Sequence, residues 1–180
     1  MASISLIGFM GSGKSSVGKE LSKLLPGMEF IDLDSYIEAM TGKSIPEIFE
    51  KQGEAAFRAM ELEALENIFL TNELTGEDCI LSLGGGTVTT EACRRMIRRN
   101  TTCFYLKASV DTLVHNLETW PGDRPMLKGG KPLRARVEEL MAVRGPIYAK
   151  TAHHIIDVDS NDYTAAATEI LGNLALGFSV

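Results

Sequence analysis

Cysteine is scarce in this chain. Cys79, Cys93 and Cys103 are far apart and form no C-x-x-C pair, which argues against a disulfide framework or a cysteine zinc site and predicts buried free thiols. Positive charge is in deficit: 18 Lys and Arg stand against 24 Asp and Glu, a formal net charge of −6. That balance disfavours a nucleic-acid or anionic-membrane surface and leaves room only for a local basic site. Long apolar runs are missing too. No stretch reaches the eighteen or so residues that span a bilayer, and the first residues carry no basic segment ahead of an apolar one. The expectation is a cytoplasmic protein with small-molecule partners, no nucleic acid and no membrane. Of the three histidines, His153 and His154 are adjacent; in a strand they face opposite sides, so they read as structural and not as joint metal ligands. Repeats and low-complexity segments are absent, and 180 residues suffice for one domain with a sizeable core.

What is present begins at residue 8. Gly8-Phe9-Met10-Gly11-Ser12-Gly13-Lys14-Ser15 is a complete G-x-x-x-x-G-K-S/T phosphate-binding loop. It follows the strand-like Ser3-Ile4-Ser5-Leu6-Ile7 and precedes a helical stretch with Val17, Leu21, Leu24 and Leu25 on one stripe. Glycines let backbone N–H groups converge on phosphate oxygens, and the helix beginning at Lys14 turns its positive end to the same anion. Gly11, Ser12, Gly13, Lys14, Ser15 and Ser16 are the expected triphosphate contacts. Lys14 brings a charge able to follow the β- and γ-phosphates, and the Ser15 hydroxyl is the expected Mg²⁺ ligand.

Further apolar runs at Met28 to Ile31, Cys79 to Leu83, Thr102 to Leu106 and Ile155 to Val158 alternate with stretches of helical period. Ser44-Ile45-Pro46-Glu47 is a capping box, and Ser109-Val110-Asp111 opens another helix. The pattern predicts an α/β fold: a five-stranded parallel sheet with helices on both faces and ligands at the carboxyl ends of its strands. Trp120 to Gly130 mixes Pro, Gly and charge and reads as a long loop, a lid over roughly residues 119–131 that carries Arg124. Such a lid would exclude water from a γ-phosphate and bring a cation to it.

Asp32 and Asp34 stand at the end of the second strand. Two apart in extended backbone they share a face, so one could reach Mg²⁺ through water while the other accepts a proton from an attacking hydroxyl; equally, Asp34 could cap the next helix. Arg58 has Glu54 and Glu61 at helical spacing, which a surface ion pair would explain. Arg144 precedes Gly145-Pro146, predicting a side chain that projects from a helix break. Two convergent arginines suit a planar anion such as a carboxylate. Gly84-Gly85-Gly86 after the third strand offers bare backbone to a ligand, and Ser82 stands where many P-loop proteins place a Mg²⁺-linked aspartate, leaving Asp32 for that task.

Taken in order, the P-loop, Asp32-Leu33-Asp34, Phe57-Arg58, Gly84-Gly85-Gly86, Asp123-Arg124-Pro125-Met126-Leu127 and Arg144-Gly145-Pro146-Ile147-Tyr148 closely resemble shikimate kinase over nearly the entire chain. The resemblance implies the nucleoside-monophosphate-kinase type of P-loop fold, and transfer of the ATP γ-phosphate to the 3-hydroxyl of shikimate in aromatic amino-acid biosynthesis, by a monomer using Mg²⁺. Position by position it implies Asp34 as the group that orients and deprotonates the acceptor, with Lys14 and Arg124 acting on the phosphates. It further implies Arg58 and Arg144 as a carboxylate clamp, Gly84, Gly85 and Gly86 as backbone contacts, Phe49 and Phe57 as walls, and Ser15 and Asp32 at the metal. The chain departs from the family where members often carry an adenine-stacking arginine before the lid. It has His115-Asn116-Leu117-Glu118 there, and Ser160-Asn161-Asp162 is the loop available to the other side of the base. Other small-molecule P-loop kinases, such as a gluconate kinase or a nucleoside-monophosphate kinase, are the nearest alternatives. Arg58, Arg144 and the glycine run argue against them. A nucleotide-dependent switch would need no acceptor pocket.

Overall fold

The structure, a computed structural model, describes residues 2–120, 122 and 124–176. Pro121 and Asp123, both in the sequence-predicted lid, lie outside the described residues.

Five parallel strands, β1 (Ser3–Ile7), β2 (Glu29–Asp32), β3 (Cys79–Ser82), β4 (Thr101–Lys107) and β5 (His154–Asp157), lie in the order β2-β3-β1-β4-β5. β1 is central, pairing Ser5 with Leu81 on one side and with Cys103 on the other. All five of its residues are buried. Its polar side chains are therefore satisfied internally: the Ser5 and Thr101 hydroxyls bond at 2.6 Å, and Ser3 Oγ accepts the Cys79 N–H at 3.0 Å. Strand bounds differ from the apolar runs by a residue or so, as expected where ladder bonds and not hydrophobicity set the ends.

Helices cover both faces of the sheet, as the alternation predicted. α1 (Lys14–Leu24) packs with α8 (Tyr163–Leu176), while α4 (Glu54–Thr75) packs with α5 (Glu91–Asn100) and α6 (Val110–Thr119) with α7 (Leu133–Thr151). α2 (Leu33–Thr41) and α3 (Ile45–Gln52) lead from β2 to α4. The predicted caps form: Ser44 Oγ accepts the Glu47 N–H at 3.3 Å and Ser109 Oγ the Thr112 N–H at 3.2 Å. The core runs through Ile4, Leu6, Val17, Leu21, Ile80, Leu81, Phe104 and Ile156, all fully buried.

Three local expectations are corrected. Leu24 belongs to the predicted apolar stripe of α1 yet is 47% exposed, because the stripe drifts off the sheet in the last turn. α7 runs unbroken through Gly145 and Pro146, so Arg144 leaves a regular helix and is 3% exposed; Pro146 costs one helical bond without ending the helix. Finally, the chain turns from β2 into α2 with no intervening loop. Asp32 is therefore the N-cap, its Oδ1 accepting the Ser35 N–H at 3.0 Å, and Asp34 stands inside the first helical turn. Neither the shared extended face nor a capping role for Asp34 holds.

The three cysteines are buried free thiols, as composition suggested. His153 Nδ1 accepts the Cys103 N–H at 2.9 Å and His154 stacks on Phe104, so both act structurally. Between α6 and α7 the described residues hold a single 3₁₀ turn, Pro125–Leu127, tied down where Arg136 Nε donates to the Met126 carbonyl at 2.8 Å.

Candidate active site

The loop between β1 and α1 folds tightly on itself. Gly11 and Gly13 take φ of +85° and +89°, a left-handed region that other residues rarely enter, and the Ser12 N–H reaches the Phe9 carbonyl at 3.1 Å. Lys14 is buried and its Nζ donates to the Gly8 and Phe9 carbonyls at 2.8 and 2.9 Å. Burial pushes its pKa down from the usual lysine value to about 8, against the opposing pull of Asp34 and Asp32. Beside it, Ser15 Oγ donates to Asp32 Oδ2 at 2.7 Å. The cap thus keeps one Asp32 oxygen for the helix and the other for Ser15. A serine hydroxyl and one carboxylate oxygen are hard donors that fit Mg²⁺, which binds through few protein ligands together with phosphate and water. Ser16, half-buried on α1, lines the adjoining groove with residues 160–164.

A cavity of about 140 Å³ opens against this loop, walled by Met10, Asp34, Phe49, Phe57, Arg58, Glu61, Arg124, Arg144 and Gly84 to Gly86. Burial raises Asp34 from the usual carboxylate range to about 6, aided by the charges of Asp32 and Glu61 and opposed by Lys14. Arg58 donates to Glu61 Oε1 at 2.6 Å and to Glu54 Oε1 at 3.2 Å, and its guanidinium lies 5.4 Å from the centre of the Phe57 ring. Phe57 in turn packs on Phe49 with centroids 4.9 Å apart. The ion pair anticipated at the surface is in fact half inside: Glu61 is fully buried and also accepts the Thr87 hydroxyl. From the other side, α7 brings Arg144 against Gly85, and the Tyr148 hydroxyl donates to the Gly85 carbonyl.

The glycine run is shaped to these side chains. A Cβ at Gly86 would overlap the Arg58 guanidinium, and one at Gly84 would press within 3.1 Å of Glu61 Oε2 and 3.2 Å of Asp34 Oδ1. Arg124 reaches the same cavity from the segment after α6, its Nη1 donating to the Trp120 carbonyl at 3.2 Å.

Among the described residues, three buried side-chain polar atoms find no partner: Ser12 Oγ, Asp34 Oδ1 and Arg144 Nη1. Each belongs to the phosphate loop or to this cavity. A buried polar group left unpaired costs about 1–3 kcal/mol, so three together mark a place completed by a ligand. Larger clefts, of about 1000 Å³ beside Ser3 and Asn100 and about 640 Å³ along β2, contain none of these unpaired atoms and lack the phosphate loop. Chemistry, not size, selects the site.

The residues expected to contact phosphate, metal or acceptor lie on this loop, in this cavity or in the adjoining groove, except Asp32, which lines the cleft along β2 and meets the loop through its bond from Ser15. Sequence reasoning missed Glu61 as a buried anchor, Thr87 as its second donor and Tyr148 as the support of Gly85. The i+3 spacing of Arg58 and Glu61 was the one available signal.

A model of the family described as "Shikimate kinase" matches residues 10–175. The chain is 41% identical over 172 residues to a shikimate kinase of Thermus thermophilus, covering 95% of this chain and 89% of that one. It is 42% identical over 174 residues to a shikimate kinase of Chlorobaculum tepidum, covering 93% and 87%. Among solved structures, the shikimate kinase of Acinetobacter baumannii in complex with shikimate superposes with a TM-score of 0.87 at 32% identity, over 100% of this chain and 96% of that one. The enzyme of Aquifex aeolicus gives 0.79 at 30% identity, over 97% and 96%. With the phosphate loop, two arginines and a glycine run gathered at one end of this sheet, and with matches spanning almost its whole length, the chain belongs to the shikimate kinase family.

Proposed function

We propose that this chain is an ATP:shikimate 3-phosphotransferase, giving shikimate 3-phosphate and ADP on the route to chorismate and the aromatic amino acids. The observation that carries the reading is the cavity in which Arg58, Arg144 and the bare backbone of Gly84 to Gly86 face Asp34 beside a phosphate loop. A small acceptor with a carboxylate at one end and a hydroxyl at the other matches that order of groups. The two arginines take the carboxylate, Nη1 of Arg144 gaining its missing partner, while Phe49 and Phe57 wall the ring. With its pKa near 6, Asp34 is mostly ionised at neutral pH and accepts the proton of the attacking hydroxyl through Oδ1.

On the nucleotide side, Gly11, Ser12, Gly13, Ser15 and Ser16 hold the triphosphate by backbone N–H and hydroxyl groups. Lys14 exchanges the Gly8 and Phe9 carbonyls for phosphate oxygens, and Arg124 moves from the Trp120 carbonyl onto the transferring group. Ser15 and Asp32 would hold Mg²⁺, which neutralises charge on the β- and γ-phosphates when bound. The chain acts as a single-domain, cytoplasmic monomer with a lid over about residues 119–131. None of the described helices is long and apolar enough to cross a membrane.

The test is coupled ADP release with ATP and Mg²⁺, comparing shikimate with gluconate, nucleoside monophosphates and no acceptor. Turnover that depends on shikimate is the expected result. Turnover with gluconate or a nucleoside monophosphate alone keeps the phosphate loop but overturns the roles given to Arg58, Arg144 and Gly84 to Gly86.

A further inference from the structure

We propose that Tyr148 is a positioning residue for acceptor binding, its hydroxyl holding the Gly85 peptide so that the N–H groups of the glycine run face the cavity, an inference that rests on reading that cavity as the shikimate site. Three glycines in succession have no side chain to fix them, and each can enter conformations closed to other residues. Groups outside the run must therefore set its shape. Two of its carbonyls are held by the turn that follows: Gly84 accepts the Thr87 N–H at 3.3 Å, and Gly86 accepts the Thr89 N–H at 3.0 Å and the Thr89 hydroxyl at 2.6 Å. The middle carbonyl is held from afar. Among the described residues, only the Tyr148 hydroxyl donates to Gly85, across 63 positions of chain.

A trans peptide points its C=O and its N–H in opposite directions. With the Gly85 carbonyl turned back to Tyr148, which has no exposed surface, the Gly86 N–H faces the other way, toward the cavity that the run lines. Among the described residues no group accepts the N–H of Gly84, Gly85 or Gly86, so backbone donors stand ready there for a ligand. The tyrosine is itself well fixed. It follows Arg144 by one turn of α7, and its ring packs on Tyr105 with centroids 5.1 Å apart. Burial lifts the phenol above its usual pKa, so it keeps its proton for the carbonyl. The same turn of helix thus sets a guanidinium of the clamp and the backbone beside it: a Cβ on Gly85 would stand 3.6 Å from Arg144 Nη1, the nitrogen that lacks a partner. Released from the phenol, the Gly85 carbonyl is free to turn to that nitrogen, where it would occupy the clamp and face the acceptor's carboxylate with like charge.

Native protein, Tyr148→Phe and, as a control that removes the hydroxyl of the neighbouring ring, Tyr105→Phe are titrated calorimetrically with shikimate and with Mg·ATP and assayed for ADP release. Tyr148→Phe should raise both Kd and KM for shikimate about 3- to 10-fold, the effect of one lost hydrogen bond. Its kcat at saturating shikimate and its ATP affinity should stay within about twofold of native, because a bound acceptor holds the glycines itself. Tyr105→Phe should keep native shikimate affinity. A purely structural role would lower the melting temperature of Tyr148→Phe and leave its shikimate affinity unchanged, and that result overturns the proposal while the acceptor reading stands. So does a loss of ATP affinity as large as that for shikimate, or an equal loss in Tyr105→Phe. Native protein gives a readout without any variant: shikimate should slow amide hydrogen exchange at Gly85 and Gly86, and exchange unaffected by shikimate overturns the role even if Tyr148→Phe fails to fold. Native protein that neither binds nor phosphorylates shikimate overturns the acceptor reading, and the role of Tyr148 with it.

Discussion

Asp34→Asn is expected to make the protein more stable and far less active. In the folded chain the Asp34 pKa rises from 3.8 to about 6, so its proton is bound more tightly than in the unfolded chain. Stability from this group is therefore fully present below about pH 4 and is lost as pH rises through 6. The difference corresponds to about 3 kcal/mol at pH 8, the cost of holding the carboxylate ionised where burial and the charges of Asp32 and Glu61 oppose it. Asparagine never ionises and so escapes this cost, which already includes the opposing attraction of Lys14, and the gain is about 3 kcal/mol. For a domain of this size that is roughly 6–12 °C in melting temperature. Thermal unfolding at pH 4 and pH 8 reads it: the gain should be present at pH 8 and vanish near pH 4, while turnover collapses with shikimate still bound. A variant that melts at or below the parent at pH 8, or whose gain is the same at both pH values, refutes the reasoning.

Other expectations concern the two arms of the site. Arg58→Ala and Arg144→Ala should each raise KM for shikimate by the equivalent of about 2–5 kcal/mol with ATP binding little changed; normal shikimate kinetics would remove the clamp. Gly86→Ala should act like a loss of Arg58, since the methyl displaces the guanidinium from Glu61; unaltered KM in steady-state assays would contradict the contact. In a pH series, kcat/KM for shikimate should climb through about pH 6 as Asp34 loses its proton, and an unchanged acidic limb in the residual activity of Asp34→Asn would dismiss it as the base. ATP binding by the free protein should weaken above about pH 8 as Lys14 discharges, measured by calorimetry.

The parts of the fold and site legible in the sequence are those that local chemistry dictates. The phosphate loop announces itself because its glycines, lysine and serine are required within eight residues, and the strands because each buried run is short and bounded by turns. Extended backbone would put Asp32 and Asp34 on one face; the immediate turn into α2, in which Leu33 is fully buried, is a tertiary event that local pattern does not signal. Gly-Pro usually breaks a helix, but packing against α6, β4 and the neighbouring 3₁₀ turns holds α7 together through Arg144. Glu61 looked like surface because α4 carries glutamates at 54, 61, 63, 66 and 73, and only the tertiary contact with Thr87 tells one of them from the rest.

That buried glutamate also bears on how such a pocket can change. Glu61, Arg58, Thr87 and Gly86 interlock so that altering any one strands another: without Glu61 a guanidinium loses its inner partner, without Arg58 a carboxylate is left in the interior, and a side chain at Gly86 ejects the arginine. A descendant that is to accept a neutral acceptor must replace at least two of these together, and each single step on the way is less stable than either end. If this cluster holds the acceptor as proposed, a change of acceptor is thereby guarded by a stability valley.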